Sequence, residues 1–198
     1  MARVTTVKAA RKATTCGRCG TVILAGMSYR WAKPRVHRAA SGMKLVRCMK
    51  SACMFRQSDL TTSKMAGVYA AQESLADAME GDFTPNDLLN SLQEAAETVR
   101  GVGEEHREGA TAIEDGFGHE TSQSGEMNEK ADALDEYADA LEGVSIDDAD
   151  EYDDLETEAG ETDEDEDEDR LEEIVARQRE IRDEAEAQAN DAIAELSI

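Results

Sequence analysis

Large side chains are scarce in this 198-residue chain: aromatics make up 4% of it, and there is a single tryptophan. So few bulky groups exclude one compact core running the length of the chain. No apolar run is long enough for a signal-peptide core or a membrane span, so no membrane partner and a cytoplasmic location are expected. Acids are almost missing from the first third: Asp59 is the one carboxylate in residues 1–64. Cysteine is missing after Cys53. No nucleophile–base pair, phosphate-binding glycine loop or isolated carboxylate dyad is visible, and the expectation is a protein that is not an enzyme. The acidic stretches lack the EF-hand spacing with its central glycine and terminal glutamate, which argues against a dedicated calcium site.

What is present is two close cysteine pairs. Cys16 and Cys19 form C-x2-C, Cys48 and Cys53 form C-x4-C, and 28 residues separate the pairs. Four thiolates suit tetrahedral Zn2+, and structural zinc sites are closed by four such protein ligands. Gly17 and Gly20 fit the first turn, with Gly20 able to take the positive φ required after the second ligand. Backbone N–H groups at such a turn offset thiolate charge. The wider second spacing suits the start of a helix, whose first-turn N–H groups do the same. Two disulfides, a thioredoxin-like redox motif and four unrelated cysteines are the competing readings. His37, between the pairs, is the alternative fourth ligand. Structural Zn2+ on Cys16, Cys19, Cys48 and Cys53 is the expectation.

Between the pairs, Met27, Tyr29 and Trp31 alternate with Ser28 and Arg30, which predicts a half-buried strand ended by Pro34. Met43 to Arg47 is the partner strand, and His37 to Gly42 the hairpin loop. Knuckle, β-hairpin and helix make a small zinc-bound treble-clef or zinc-ribbon-like domain, followed by a mostly α-helical and disordered acidic region. The C-x2-C-x28 spacing and the strand after it resemble zinc fingers of the poly(ADP-ribose) polymerase type, which sense DNA breaks. That family uses histidine as third ligand and a shorter final spacing, where this chain has Cys48 and x4. The basic stretch Ala2 to Lys12, the segment Tyr29 to Arg35 and the acidic remainder resemble small zinc-finger proteins encoded by bacteriophages of actinobacteria. That resemblance implies a finger and, if phage-encoded, the host cytoplasm.

Charge divides the chain. Residues 1–64 hold fourteen bases and one acid, +13; residues 65–198 hold seven bases and forty-four acids, −37; the two sum to the net −24. A basic module of this density favours polyanions, nucleic acid first among them. The candidate contacts are Arg18, Arg30, Trp31, Lys33, Arg35, Arg38, Lys44, Arg47 and Lys50. Arginine suits bidentate phosphate contact. Trp31 or Tyr29 suits base stacking, although a domain this small also needs both as core.

The expected organisation is a basic arm at 1–15 and a four-cysteine finger at 16–57. A loose helical region follows at 58–143, flexible over 101–125, then an acidic disordered linker at 144–168 and an amphipathic helix at 169–198. Residues 58–80 read as one helix. Thr84, Pro85 and Asp87 open another, with Leu88, Leu89, Leu92, Ala96 and Val99 on its apolar face. Gly101 and Gly103 are expected to end it. His106 and His119 then fall in a solvated loop. Met127, Ala131, Leu134, Ala138 and Leu141 mark a short helix ended by Gly143. Sixteen of the twenty-three residues from Asp147 to Asp169 are acidic, which predicts disorder by self-repulsion. Leu171, Ile174, Ile181, Ala185, Ala192 and Leu196 approximate a heptad seam, suited either to a homodimer or to docking on a protein partner. The function expected is a zinc-stabilised DNA- or RNA-binding accessory protein with an acidic regulatory tail. The alternative is an interaction or assembly protein whose acidic helices bind a partner, one version of which is a DNA mimic.

Overall fold

The computed structural model describes residues 2–34, 44–61, 63–81, 83–162 and 168–194. The chain divides into two compact units, Met1–Ala70 and Ala71–Ile198. Small antiparallel sheets occupy the first unit, and helices dominate the second.

In the first unit, β1 (Thr5–Val7), β4 (Tyr29–Ala32) and β5 (Leu45–Arg47) form one antiparallel sheet in the order β1-β4-β5, and β2 (Thr14–Thr15) pairs with β3 (Val22–Ile23) in a hairpin. A strand after Met27 and the strand before Cys48 therefore appear as predicted, with Trp31 opposite Val46 and Thr5. Met27 lies outside β4 and is exposed, and Arg30 is as half-buried as Tyr29 and Trp31, so the alternation of the two faces is not seen. The basic arm contributes β1 to the sheet edge, which its charge pattern did not signal. Tyr29 and Val46 pack against a cluster of Ala10, Cys16, Ile23, Cys48 and Cys53. With so few large residues available, the cysteines themselves form much of this core. Residues 35–43, including the predicted hairpin loop, lie outside the described residues.

The single helix predicted over 58–80 is two: α1 (Gln57–Leu60) and α2 (Ala66–Glu80). The break falls where hydroxyls compete for the backbone. Ser63 N–H donates to Thr61 Oγ1 at 3.3 Å, offering a local alternative to helical bonds.

In the second unit, after the C-terminal part of α2, comes α3 (Pro85–Phe117), started as predicted at Thr84 with Pro85 in its first turn and capped by a reciprocal Thr84–Asp87 box. The helix runs through Gly101 and Gly103, correcting the expected end there and the flexible stretch 101–125. Gly118, at φ +73°, ends it, and Thr121 starts α4 (Ser122–Glu142) within three residues. The two helices are antiparallel: Arg100 reaches Asp139 and Glu142, and Arg107, one hairpin layer further along, reaches Asp132 and Asp135. Gly103 lies at the closest approach, where an added Cβ would stand 3.1 Å from Asp135 Oδ1 and 3.4 Å from Ala131 O. The residue read as a helix breaker is a packing device. His106 is accordingly a buried position on α3 rather than a loop histidine, whereas His119 is exposed as expected.

The expected disorder over 144–168 is replaced by α5 (Ala149–Glu161) across its centre. Residues 163–167 lie outside the described residues. Self-repulsion in α5 is offset by α6 (Glu168–Ala194): Arg177 bonds Asp148 at 2.8 Å and Glu151 at 2.9 Å, and Arg170 bonds Glu158 at 2.7 Å. These hydrogen bonds hold Glu151 and Glu158 below the usual carboxylate range. Ile174, Ile181, Ala185, Ala189 and Ala192 of α6 are buried within the unit, so the predicted seam faces its own helices. Leu196 lies outside the described residues. Among the described residues, no helix is long and apolar enough to cross a membrane.

Candidate metal centre

The four cysteines meet. Their Sγ atoms all lie within 4.8 Å of one another. Cys16 and Cys19 come from the turn between β2 and β3, closed by Cys16 N–H to Thr21 O at 2.9 Å and Gly20 N–H to Cys16 O at 3.0 Å. Gly20 takes φ +68°, a left-handed conformation that favours glycine. The knuckle is tied to the sheet by Gly17 N–H to Val46 O at 2.8 Å, and this bond delivers Cys48, just past β5, to the first pair. Cys53 closes a single 3-10 turn, Ser51–Cys53. The second pair therefore does not sit on the first turn of an α-helix. The x4 spacing is spanned by one tight turn, and α1 begins only afterwards.

Cys19 and Cys48 sulfurs are 3.8 Å apart. A disulfide needs about 2.05 Å. Four thiolates around Zn2+ at about 2.3 Å would be separated by roughly 3.8 Å along each tetrahedral edge. The donor set, its spacing and its closure by four protein ligands fit a structural tetrahedral ion. Three of the four are buried and only Cys19 is exposed; an ion held by all four would have its tetrahedral shell filled by protein ligands.

The electrostatics agree with an anionic cluster that needs a cation. The Thr21 hydroxyl and backbone N–H hold the Cys19 thiol down at about 6. Burial pushes Cys16 up, but N–H groups of Cys19, Cys48 and Arg18 outweigh it and leave the thiol below its ordinary 9.0. Cys48 N–H stands 3.3 Å from Cys16 Sγ. Cys53 is driven up to about 12, by burial first and then by the neighbouring sulfurs. Burial, helped by the neighbouring sulfurs, thus keeps a proton on Cys53, and a divalent ion would displace that proton. The sequence singled out the cysteines but not Thr21, whose role depends on the turn folding its hydroxyl to 3.1 Å from Cys19 Sγ.

The predicted polyanion contacts separate into groups. Arg18 and Lys50 are exposed beside the cluster: Arg18 Nη1 donates to Met54 O at 3.1 Å, and Lys50 Nζ lies 3.5 Å from Thr21 Oγ1. Lys33 and Lys44 are exposed near the sheet. Lys44 Nζ sits 4.8 Å from the Trp31 ring centroid and 5.3 Å from that of Tyr29. Both rings are half-buried, combining core and surface roles. Arg30 is half-buried on β4, directly across from Arg47 on β5, and its Nη1 has no hydrogen-bond partner among the described residues. Arg47 is committed internally. Its side chain is 9% exposed, Nη2 bonds Asp59 Oδ1 at 2.9 Å, and the guanidinium lies 5.4 Å from the Phe55 centroid. The one acid of the segment is therefore paired with a buried base. Arg35, Arg38 and His37 lie outside the described residues. Sequence reasoning did not anticipate the exposed Val22, Leu24, Met27, Met49 and Met54 around the two knuckles.

Comparison of the chain with protein-family models, with curated proteins and with solved structures finds no match.

Proposed function

We propose that residues 1–64 form a treble-clef-like zinc finger that binds nucleic acid through its outer bases, with the acidic helical region as a regulatory tail. One observation carries this reading: Asp59, the one acid among fourteen bases, is tied to buried Arg47. The exposed Arg18, Lys33, Lys44 and Lys50 then present a surface with no carboxylate of the same segment to neutralise it. Zinc has a structural role, and the protein is not a catalyst. Phosphate neutralisation with counterion release provides the affinity. The tail, at −37 over residues 65–198, competes for the same bases and suppresses non-specific binding.

The exposed apolar groups at Val22, Leu24, Met27, Met49 and Met54 favour a second reading, an adaptor that docks a protein on the finger. A salt series separates the two. Zinc-loaded full chain and the unit Met1–Ala70 are titrated with single- and double-stranded DNA and RNA. Steeply salt-dependent binding by the unit, weaker in the full chain, supports the nucleic-acid reading. Zinc-loaded unit that binds none of these polymers at low salt overturns it and leaves the adaptor.

A further inference from the structure

Four of the arginines in the helical unit clamp acids on a neighbouring helix: Arg100, Arg107, Arg170 and Arg177. Arg179 does not. Its side chain is 82% exposed, and its one ion pair among the described residues, with Asp183 on the same helix, is long at 3.9 Å. It borders an open groove of about 400 Å³ whose apolar lining comes from Met79, Phe83, Tyr152 and Val175. Val175 is 59% exposed, far more than the buried Ile174 and Ile181 on the opposite side of α6. Arg182 lies over the Phe83 ring at 4.8 Å and helps to hold the groove open on one side.

Along this flank of α6 the order is Val175, then the bases Arg179 and Arg182, then the acids Asp183 and Glu186. Apolar, plus, minus in that order is self-complementary when one copy is inverted. An isologous interface sets a patch against itself, so position i meets j and j meets i. A two-fold axis crossing α6 near position 181 places each Arg179 against Asp183 of the other copy and each Val175 beside Ala187. The weak pair within the helix becomes two pairs between copies, and the groove is covered at the same time.

We infer that this flank of α6 and its groove form an antiparallel homodimer contact, the occupant being a second copy of this chain. The buried seam of Ile174, Ile181 and Ala185 plays no part in it. The inference is independent of zinc and of nucleic acid. Its salt dependence runs opposite to polyanion binding. Each copy carries −24, so association is opposed by long-range repulsion that salt screens.

The test is sedimentation equilibrium of the zinc-loaded full chain at about 0.02 M and about 0.5 M salt, across screening lengths from roughly 20 to 4 Å. The expected result is a monomer–dimer equilibrium that tightens with salt. Arg179→Glu should weaken the dimer at least about tenfold by setting like charges together. Arg179→Glu with Asp183→Arg should restore it, because the swapped flank is again self-complementary. Circular dichroism of each variant shows that the helices remain. Wild-type protein that stays monomeric at every concentration and salt overturns the inference. So does a folded Arg179→Glu variant that dimerises like wild type, a folded double variant that fails to recover, or association that grows beyond two copies.

Discussion

Two glycines two residues apart, Gly101 and Gly103, should respond to alanine in opposite directions. Both lie within α3. A Cβ at Gly101 meets nothing within 4 Å, so Gly101→Ala removes only the backbone entropy cost of glycine. That stabilises a helix interior by about 1 kcal/mol. A Cβ at Gly103 meets Asp135 Oδ1 at 3.1 Å and Ala131 O at 3.4 Å. Neither neighbour yields freely: Ala131 O is backbone of α4, and Asp135 is held in its ion pair with Arg107. Overpacking of this kind costs about 1–3 kcal/mol, which exceeds the helix gain. The net expectation is a loss of about 1 kcal/mol for Gly103→Ala, and a gap of about 2 kcal/mol between the variants. For a helical unit of this size, 1 kcal/mol moves the melting temperature by roughly 4 °C. Thermal melts of the full chain followed by far-ultraviolet circular dichroism report it, because the helical unit dominates the signal. If Gly103→Ala stabilises as much as Gly101→Ala, the close α3–α4 contact is wrong. If Gly101→Ala destabilises, α3 is not one helix through that point.

Other perturbations test the finger and the clamps. Asp59→Ala leaves the Arg47 guanidinium, 9% exposed, without its counter-charge; a loss of about 3 kcal/mol in the finger is expected, read from the fluorescence of Trp31, the one tryptophan. An unchanged transition would remove the internal role assigned to Arg47. In metal-free protein, Cys19, at about 6 against an ordinary 9.0, adds stability as pH rises from about 6 to 9, and Cys53, at about 12, removes it as pH rises from 9 to 12. Trp31-monitored stability should therefore peak near pH 9 without metal, and zinc should bind with release of protons. A metal-free profile that falls steadily from pH 6 to 9 would refute this. Arg177→Ala removes bonds to Asp148, Glu151 and Glu180; because these groups are exposed, the loss of stability should be small and shrink in high salt. A larger defect at high salt than at low salt would contradict an electrostatic clamp.

Much of the finger was legible in the sequence because its determinants are local. The two close cysteine pairs, the strand at Tyr29 to Ala32 and the Thr84-Pro85 helix start each rest on residues a few positions apart, and each appears in the structure, although Met27 lies outside that strand. The acidic half was harder to read. Glycine and carboxylate runs carry strong local propensities against order, and propensity alone reads Gly103 as a break and 144–168 as disorder. Both readings change because of residues distant in sequence. Ala131 and Asp135 of α4 use the missing Cβ of Gly103, and Arg170 and Arg177 of α6 neutralise the acids of α5.

The chain's own residues therefore determined the candidate metal ligands, the opposite charges of its two parts and most apolar faces, since those follow from residue type and spacing. Tertiary structure decided which base is spent internally, since only the fold brings Asp59 to Arg47. It decided which sulfur keeps its proton, since burial and neighbouring thiols act through space. It also decided that the apolar seam of α6 turns inward and leaves Val175 and Arg179 outside, a choice between faces of one helix that depends on which neighbours pack against it.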